Sequence, residues 1–552
     1  MSNPDRSVLH LEMPRALTTT LAAFDFRSAS VLFEQGLVFD QADINSHFWQ
    51  FVFRRYAPEF GLSQFFSPFV SRDVVSRLVE LLCELHEDAW LPLMPYGFEF
   101  GDFADSSSDI DEAISGTGIG ELIDAYLDEV APLLKLDDPD LRCVSLGIDS
   151  ANSLIFACAF ASCLRKRLAS NVQLILGKHS YENFSLSLRK DDILANGELL
   201  RFFDHVIFHE EEFASELLQL LKRPEQQRAI SVDRSTPQPV ELFKCSVYSD
   251  LLVLPASQYV WSMPLSRNKC YWKKCTFCVQ IKKHSADRYF DESSELASAL
   301  REIQTLYQLG FRYFIFNDEA IQPAKLKRLS DFLIKNEIDI KWTPRIIADA
   351  EIKEDLIAKM AESGCFEVLF GLETVASVTA NRMKKVSQNS TEEELFQMLK
   401  KFSGHGIEIF LNLIYAFPTE SDEEFQETFQ FYQRVKEAMP ETFVRFNKFH
   451  LFYGTDIFNA PSEFGVTDVE ATDPGNDLKV SLDYEDQFGR KHSTPPSEKY
   501  FLESIGMSEF EYASIVESES PFFIAAMFQV NYASFGLIYK EQNKRNLLSN
   551  LR

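Results

Sequence analysis

Strand-like and helix-like segments alternate through the middle of the chain, and this alternation restricts the fold more than any other feature. Between residues 258 and 452, six apolar, strand-like segments are separated by five amphipathic helical segments. Several of these helical segments end at glycine, as at Gly310 and Gly364, which is typical of a helix C-terminus. Short connections between such units predict a parallel sheet flanked by helices. Six units are fewer than the eight of a closed barrel, so the sequence predicts a partial, open (β/α)6 barrel.

A second region of alternation, residues 142–222, lies before the barrel and has shorter units. It predicts a small doubly wound, Rossmann-like domain, which makes the chain an α/β protein. We predict a helix-rich N-terminal region (1–135), the Rossmann-like domain (136–225), a polar linker (226–257), the barrel (258–455) and a C-terminal extension (456–552). The extension ends in a Phe-rich helical pattern at residues 520–540.

Charge and hydropathy exclude several classes of protein. The 552 residues include 55 Lys and Arg against 83 Asp and Glu, a net charge of −28, which repels nucleic acids and anionic lipids. Apolar residues make up 45%, too many for a disordered chain. The longest apolar run, residues 153–164, is too short to span a bilayer, and residues 2–15 lack the apolar core of a signal peptide. We therefore expect a soluble, cytoplasmic protein.

Three of the nine cysteines lie within nine residues, in the segment CYWKKCTFC: Cys270, Cys275 and Cys278. The other six are scattered among apolar residues, as buried structural cysteines commonly are. Thiolates at positions i, i+5 and i+8 of one loop can converge on a metal centre. This loop follows the first predicted barrel strand, at the edge of the sheet where ligands bind in such folds.

Two kinds of metal centre fit this spacing. A closed zinc site needs a fourth ligand, for which His284 is the nearest candidate. A cuboidal iron–sulfur cluster held by three cysteines leaves one iron open to a small molecule. The absence of a fourth nearby cysteine favours the cluster, while a zinc site and unligated cysteines stay as alternatives.

The segment SRNKCYWKKCTFC resembles the cluster loop of the radical S-adenosylmethionine (SAM) superfamily, and about 195 residues match its motifs in order. The resemblance implies that Cys270, Cys275 and Cys278 hold three irons of a [4Fe-4S] cluster, with SAM on the fourth. It also implies reductive cleavage of SAM to a 5′-deoxyadenosyl radical, which abstracts a hydrogen atom from the substrate. In such enzymes the cofactor supplies the chemistry, and the protein orients it and excludes water.

The same resemblance implies SAM-binding residues at the ends of the barrel strands. Phe277 corresponds to the residue that packs on the adenine. Asp318 and Glu319, in FNDEAI, end the second strand, where acidic residues often lie near the SAM amino group. Arg345 ends the third strand, where a residue that binds the SAM carboxylate or ribose is common.

Two later segments complete the set. FGLETVASVTANRMKK resembles the G-x-E-S segment of the fourth strand and places Glu373 and Thr374 at the cofactor. Asn412 and the following IYAFPTESDEEF resemble the fifth-strand segment that usually reads G-x-P-x-E-T. The chain departs from the family at two points: four residues instead of three separate the first two cysteines, and Ala416 replaces a usual glycine.

The Rossmann-like domain resembles the cobalamin-binding domain of one branch, notably enzymes that modify ribosomally made peptides. LGKHSYENF lies where that domain often has a Gly-Gly loop, and FFDHVIFHEEEFASELLQLL matches the segment that usually ends in G-E-G-E. No D-x-H-x-x-G motif marks an axial histidine. Cobalamin is therefore either bound without a protein ligand or lost, and Lys178 and His179, in place of small residues, favour loss.

Together these features predict a radical SAM enzyme that modifies a peptide or natural product, or a methyltransferase if cobalamin binds. Its partners would be a peptide or small-molecule substrate and an electron donor such as flavodoxin or ferredoxin. A tRNA-modifying radical SAM enzyme is one alternative, although such enzymes usually carry a basic surface or an RNA-binding module, and this acidic chain shows neither. A non-catalytic, zinc-binding scaffold is the other.

Overall fold

The computed structural model of the chain describes residues 6–14, 35–56, 118–148, 151–179, 186–208, 213–221, 255–265, 270–279, 292–385, 389–471 and 476–492, with a few isolated residues between them. Residues 71–88 of the predicted helix-rich region, residues 226–250 of the predicted linker and the Phe-rich pattern at 520–540 lie outside the described residues. The chain forms two units. The first runs to Gln258 and includes Asp473–Val480, and the second begins at Tyr259.

The first unit contains a five-stranded parallel sheet. Its strands are β1 (Arg6–Glu12), β3 (Val38–Asp43), β4 (Cys143–Ile148), β5 (Gln173–His179) and β6 (His205–Val206), and the two-residue strand β2 (Thr20–Leu21) is not part of this sheet. The helices of the unit are α1 (Asn45–Tyr56), α2 (Ile119–Leu134), α3 (Ala151–Arg165), α4 (Lys190–Asn196) and α5 (Phe213–Leu221). Every residue of β4 is buried, as expected of a central strand covered on both faces. The sheet order β3-β1-β4-β5-β6 is a doubly wound topology, which confirms the predicted Rossmann-like fold.

A segment from far along the chain completes this first unit. The carboxylate of Asp477, which is fully buried, accepts hydrogen bonds from the backbone amide and hydroxyl of Ser107, at 2.7 and 2.6 Å. The guanidinium of Arg189 donates to the carbonyl of Lys479 at 2.8 Å. These bonds join residues about 290 and 370 positions apart, so the first unit is discontinuous in sequence.

The second unit contains the half-barrel. Its parallel strands β7 (Val260–Met263), β8 (Tyr313–Phe316), β9 (Lys341–Ile347), β10 (Glu367–Glu373), β11 (Glu408–Tyr415) and β12 (Phe443–Lys448) lie side by side in chain order. The helices are α6 (Glu292–Gln308), α7 (Pro323–Lys335), α8 (Glu354–Glu362), α9 (Ser377–Met383), α10 (Glu392–Gly404) and α11 (Asp422–Ala438). Each predicted strand is present, and the predicted partial barrel is confirmed. The short helix α9 is an addition that the hydrophobic pattern did not indicate.

The two faces of the half-barrel sheet differ in chemistry because side chains alternate along each strand. On the outer face Trp261, Phe316 and Trp342 are fully buried, and the Trp261 ring meets Phe311 at 4.9 Å in an edge-on contact. The inner face carries polar residues, among them Ser262 and Arg345. The outer face therefore holds the helices, and the inner face is left for a ligand.

A capping box defines the first residue of helix α11, which follows β11. Its N-cap Ser421 and Glu424 form a capping box, in which the Ser421 hydroxyl accepts from the Glu424 amide and the Glu424 carboxylate accepts from the Ser421 amide. This pattern holds the loop between β11 and α11 in one conformation.

Beyond the barrel the chain forms β13 (Leu451–Phe452), α12 (Asp456–Asn459), β14 (Val466–Val469), β15 (Ser481–Leu482), β16 (Tyr484–Asp486) and β17 (Lys491–His492). Strands β13 and β15 pair with each other, and β14, β16 and β17 form a small antiparallel sheet. Among the described residues no helix is both long and apolar enough to cross a membrane.

Candidate active site

The three-cysteine loop lies against the carboxyl edge of the half-barrel. Cys270 forms a parallel bridge with Ala320, which follows β8. Cys270, Tyr271 and Trp272 pack against Ala320 and Ile347, and Ile347 ends β9 on the inner face. The loop therefore covers the ends of β8 and β9, where a ligand of a parallel sheet would bind.

Hydrogen bonds fasten this loop to the end of α9, residues 382–385. The backbone amide of Thr276 donates to the carbonyl of Met383 at 3.1 Å, and its hydroxyl donates to the carbonyl of Arg382 at 3.0 Å. The indole N–H of Trp272 donates to the carbonyl of Lys384 at 2.6 Å. The α9 terminus therefore forms part of the wall around the cysteines.

Lys385 links the loop to β10. Its ammonium lies 3.1 Å from the carboxylate of Glu373, and both side chains are nearly buried. Burial alone lowers the pKa of Lys385, but Glu373 and the thiol of Cys275 together raise it above its ordinary value. Gly371 makes room for the pair, since a Cβ there would lie 3.0 Å from the Glu373 carboxylate.

The three thiols differ in exposure. Cys275 is 9% exposed, and burial raises the pKa of its thiol to about 11, although Lys385 acts in the opposite direction. Cys270 and Cys278 are half-exposed. Within the described part of the chain, no three Cys, His, Asp or Glu side chains lie close enough together to bind one metal ion. His284 lies outside the described residues.

Four of the predicted SAM-binding residues lie around the inner face. Arg345 lies 3.4 Å from the carboxylate of Glu319. The amide oxygen of Asn412 accepts from Asn447 at 3.5 Å. Phe277 packs against a cluster that includes Met383 and Phe417. Glu373, which is paired with Lys385, is a fifth predicted residue with a visible partner.

Asp318 and Thr374 are fully buried and bond to the protein itself. The Asp318 carboxylate accepts from the Leu265 amide at 2.6 Å, which holds the chain just after β7. The Thr374 hydroxyl lies 2.8 Å from that of Thr428 in α11. Their predicted contacts with SAM stay predictions, and the role visible for each is to fix the end of a strand.

Backbone strain is concentrated at this edge. Of the six non-glycine residues with positive φ among those described, four lie around the site: Lys273, Glu373, Lys384 and Ala416. Glu373 has φ +68° next to a bulge between β10 and β11. Ala416 has φ +60°. Glycine adopts this conformation without steric cost, whereas for alanine it costs about 1 kcal/mol. Clustered strain of this kind is typical of functional sites.

Several inner-face residues were not identified from the sequence. The Asn317 amide donates to the hydroxyl of Ser262 at 3.2 Å, and Thr343, 1% exposed, faces the same side one strand further along. Polar residues at alternate positions of otherwise apolar strands were the available signal. Lys385 was missed as well, because nothing local relates it to Glu373, twelve positions earlier.

The loop after β11 is held by the hairpin of β16 and β17. The Tyr484 hydroxyl donates to the carbonyl of Ala416 at 3.4 Å, and the Arg490 guanidinium donates to the carbonyl of Glu420 at 3.1 Å. The Glu420 carboxylate accepts from the Ala416 amide at 2.8 Å. Burial raises the pKa of Glu420 to about 8, with Glu424 acting in the same direction and Arg490 against it.

We expect Glu420→Gln to remove a pH dependence of stability. Between pH 4.5 and about 8 the folded protein keeps a proton on Glu420 that the unfolded chain has lost, so the wild type loses stability as the pH rises through that window. A neutral glutamine can still accept from Ala416. Urea unfolding at pH 5 and pH 8.5 should show the variant gaining, relative to wild type, up to about 4 kcal/mol at the higher pH. A parallel shift at both pH values would contradict this.

The half-barrel with a three-cysteine loop at its carboxyl edge defines a cofactor-dependent enzyme domain of the partial (β/α)-barrel class. The family model of the Radical SAM superfamily matches residues 268–432, which span the cysteine loop and strands β8–β11. The chain therefore contains a radical SAM domain, and the predicted class of enzyme is confirmed. Enzymes of this superfamily use SAM and a [4Fe-4S] cluster.

Two curated relatives resemble part of the chain. An uncharacterized methyltransferase of Pyrococcus horikoshii is 23% identical over 341 residues, which cover 56% of this chain and 68% of the relative. The tRNA-2-methylthio-N(6)-dimethylallyladenosine synthase of Buchnera aphidicola is 26% identical over 244 residues, 41% of this chain. The match spans about half (52%) of the synthase.

Among solved structures, the radical SAM methyltransferase TsrM from Kitasatospora setae, with cobalamin and a [4Fe-4S] cluster bound, is similar over 91% of this chain and 88% of its own. The TM-score is 0.50 and the identity 12%. At this identity the likeness concerns the fold, and it agrees with a Rossmann-like sheet and a half-barrel in one chain.

Proposed function

We propose that this chain cleaves SAM reductively at a [4Fe-4S] cluster held by Cys270, Cys275 and Cys278, and modifies a peptide or natural product by hydrogen abstraction. The observation that carries the proposal is the three-cysteine loop fastened at the carboxyl edge of a radical SAM half-barrel. When bound, the reduced cluster supplies one electron that breaks the S–C5′ bond of SAM, giving methionine and a 5′-deoxyadenosyl radical.

The donor set suits a cluster better than a zinc ion. The three thiols belong to one loop, and no fourth cysteine lies near them in the sequence. In a cuboidal cluster each thiolate binds a different iron, so three separate thiols are what it requires. Burial raises the pKa of the Cys275 thiol, and the ammonium of Lys385 beside it acts in the opposite direction.

The inner face offers a place for SAM beside the cysteines. Arg345 lies one inward-facing position before Ile347, and Ile347 packs against Cys270. In the proposed complex Arg345 binds the SAM carboxylate and Glu319 the amino group, two contacts of complementary charge. Phe277 and Asn412 then border the adenosine, and the loop and the α9 terminus keep water from the reacting atoms.

Apart from the charged residues proposed to hold SAM, hydrogen-bonding groups of the inner face support a neutral substrate. Ser262, Asn317 and Thr343 present hydroxyl and amide groups there without charge. A peptide or a natural product with amide and hydroxyl groups matches such a surface. The net charge of −28 disfavours tRNA, which is the substrate that the name of the Buchnera synthase implies for that relative.

Side chains pack over the glycines of the described strands of the Rossmann-like sheet, and we propose on this ground that the chain has lost cobalamin. A Cβ at Gly177 would lie 2.8 Å from the ring of Phe213, so this ring fills the space beside the glycine. A Cβ at Gly147 would likewise lie 2.6 Å from the Glu12 carboxylate and 2.9 Å from the His10 ring. The chain's own side chains therefore fill the small-residue positions of this sheet, and no step is assigned to a corrin.

Anaerobic reconstitution with iron, sulfide and hydroxocobalamin, followed by desalting, tests both statements. We expect about four irons per chain, absorbance near 400 nm and no corrin bands, because the thiols are available and the glycine positions are filled. Addition of SAM and dithionite should release 5′-deoxyadenosine and methionine in equal amounts. A colourless protein with one zinc and no 5′-deoxyadenosine would overturn the function, and one corrin per chain would overturn the statement on cobalamin.

A further inference from the structure

A group of four cationic side chains surrounds the exposed side of the cysteine loop. Lys273 and Lys274 belong to the loop itself, and Arg382 and Lys384 belong to the α9 terminus that is bonded to it. Lys274, Arg382 and Lys384 are exposed, and Lys273 is half-exposed. We call these four residues the basic collar.

The basic collar is organised around Trp272. The ammonium of Lys274 lies 4.3 Å from the centroid of the Trp272 ring, a cation–π contact. The indole N–H of the same ring donates to the carbonyl of Lys384. An aromatic side chain and cations from two segments thus form one continuous surface next to the thiols.

Two acidic side chains among the described residues interact with the loop, and both are at least partly buried. Glu373 is nearly buried and ion-paired with Lys385, a fifth cation beneath the collar. Asp349, which raises the pKa of Tyr271, is partly buried. The collar is therefore a positive region on a chain whose net charge is −28. Locally concentrated charge of one sign steers partners of the opposite sign, even against the net charge.

Two cysteines of the loop that carries Lys273 and Lys274 are themselves accessible. Cys270 and Cys278 are half-exposed, and Trp272 packs in the same cluster as Cys270. A protein bound at the collar would contact the ring of Trp272, and Trp272 belongs to the cysteine loop itself. Electron transfer between proteins requires such close approach, and complementary charge favours fast and transient encounters.

We propose that the basic collar is the docking surface for an acidic one-electron carrier protein. The inference rests on the proposed function, because the acceptor is the cluster at the three cysteines. One electron leaves the reduced carrier and enters the cluster for each SAM cleaved, and no atom or proton is transferred at the collar. Four cations around one loop suit a small acidic protein, whereas an RNA would need a longer basic stripe.

The test uses an acidic flavodoxin as the probe. The variant Lys274→Glu/Lys384→Glu reverses two collar charges, and Lys335→Glu/Lys401→Glu makes the same change at exposed positions of α7 and α10. We expect the Kd for flavodoxin to rise about tenfold or more in the collar variant and to change less than about twofold in the control. The difference should shrink as salt is raised to 0.5 M, because exposed charges are then screened.

Activity measurements separate docking from chemistry. The rate of 5′-deoxyadenosine formation with reduced flavodoxin below its Kd should fall in the collar variant by the same factor as the affinity. The rate with dithionite, a small reductant that needs no docking surface, is the reference for each variant, and the flavodoxin-supported rate divided by the dithionite-supported rate should fall as the affinity falls. If wild type forms no 5′-deoxyadenosine with dithionite, the proposed function fails, whereas the flavodoxin Kd still decides the docking proposal.

Two results would overturn the proposal. One is an equal rise of the flavodoxin Kd in the collar and control variants, which would attribute the effect to net charge. The other is unchanged flavodoxin binding together with weaker binding of a tRNA or of an acidic peptide, which would assign the collar to a different kind of partner.

Discussion

Replacing Cys275 by alanine is expected to abolish SAM cleavage and the absorbance near 400 nm together. Cys275 is the most buried of the three loop thiols, and it lies beside Lys385 and Glu373. Loss of a residue that merely supports a metal ligand costs up to about a hundredfold, so loss of a ligand itself should cost at least as much. Iron analysis and the dithionite-supported yield of 5′-deoxyadenosine after identical reconstitution measure both effects.

Cys163→Ala is the matched control, since Cys163 is a buried cysteine of helix α3, outside the loop. This variant should keep wild-type iron content and activity. Retention of a full cluster by Cys275→Ala, or equal loss in both variants, would remove Cys275 from the set of ligands.

The second large effect is expected for Lys385→Met, which leaves the Glu373 carboxylate nearly buried without its cation. Removing one partner of a buried ion pair costs about 3–5 kcal/mol, because the remaining charge stays desolvated. Methionine keeps the length of the side chain, so the change concerns charge more than packing. Urea unfolding of the metal-free protein, followed by the fluorescence of Trp261 and Trp342 in the half-barrel, should show the loss.

The double variant Glu373→Gln/Lys385→Met provides the control for this pair. With both charges removed, most of the lost stability should return, and the double variant should be more stable than Lys385→Met alone. If the loss of stability in the double variant equals the sum of the losses in Glu373→Gln and Lys385→Met, the ion pair does not couple the cysteine loop to β10.

Much of the fold could be predicted because it follows from local pattern. The six barrel strands and the sheet of the first unit are apolar segments bounded by helices, and their parallel arrangement follows from the short connections. The position of the cysteine loop was predictable for the same reason, since it comes directly after β7. The motif order further predicted the radical SAM domain.

The contacts inside the site could not be predicted, because they join residues that are distant in sequence. Thr374 lies in a motif that suggested cofactor binding, yet its hydroxyl meets Thr428, 54 positions later. The pairing of Lys385 with Glu373 depends on how the end of α9 packs against β10, which no local sequence pattern predicts. The departure at Ala416 has a local explanation in its positive φ, which the identity of the residue alone does not reveal.

The buried bonds from Asp477 to Ser107 have a consequence for biosynthesis. The ribosome releases residue 477 only after the whole half-barrel has been made, so the first unit cannot complete its fold when its own strands emerge. The six barrel strands are complete before residue 477, although the hairpin of β16 and β17 that holds the loop after β11 comes later. A fragment that stops at Gln258 would lack the carboxylate that Ser107 requires, so the two units cannot be separated by cutting the chain once.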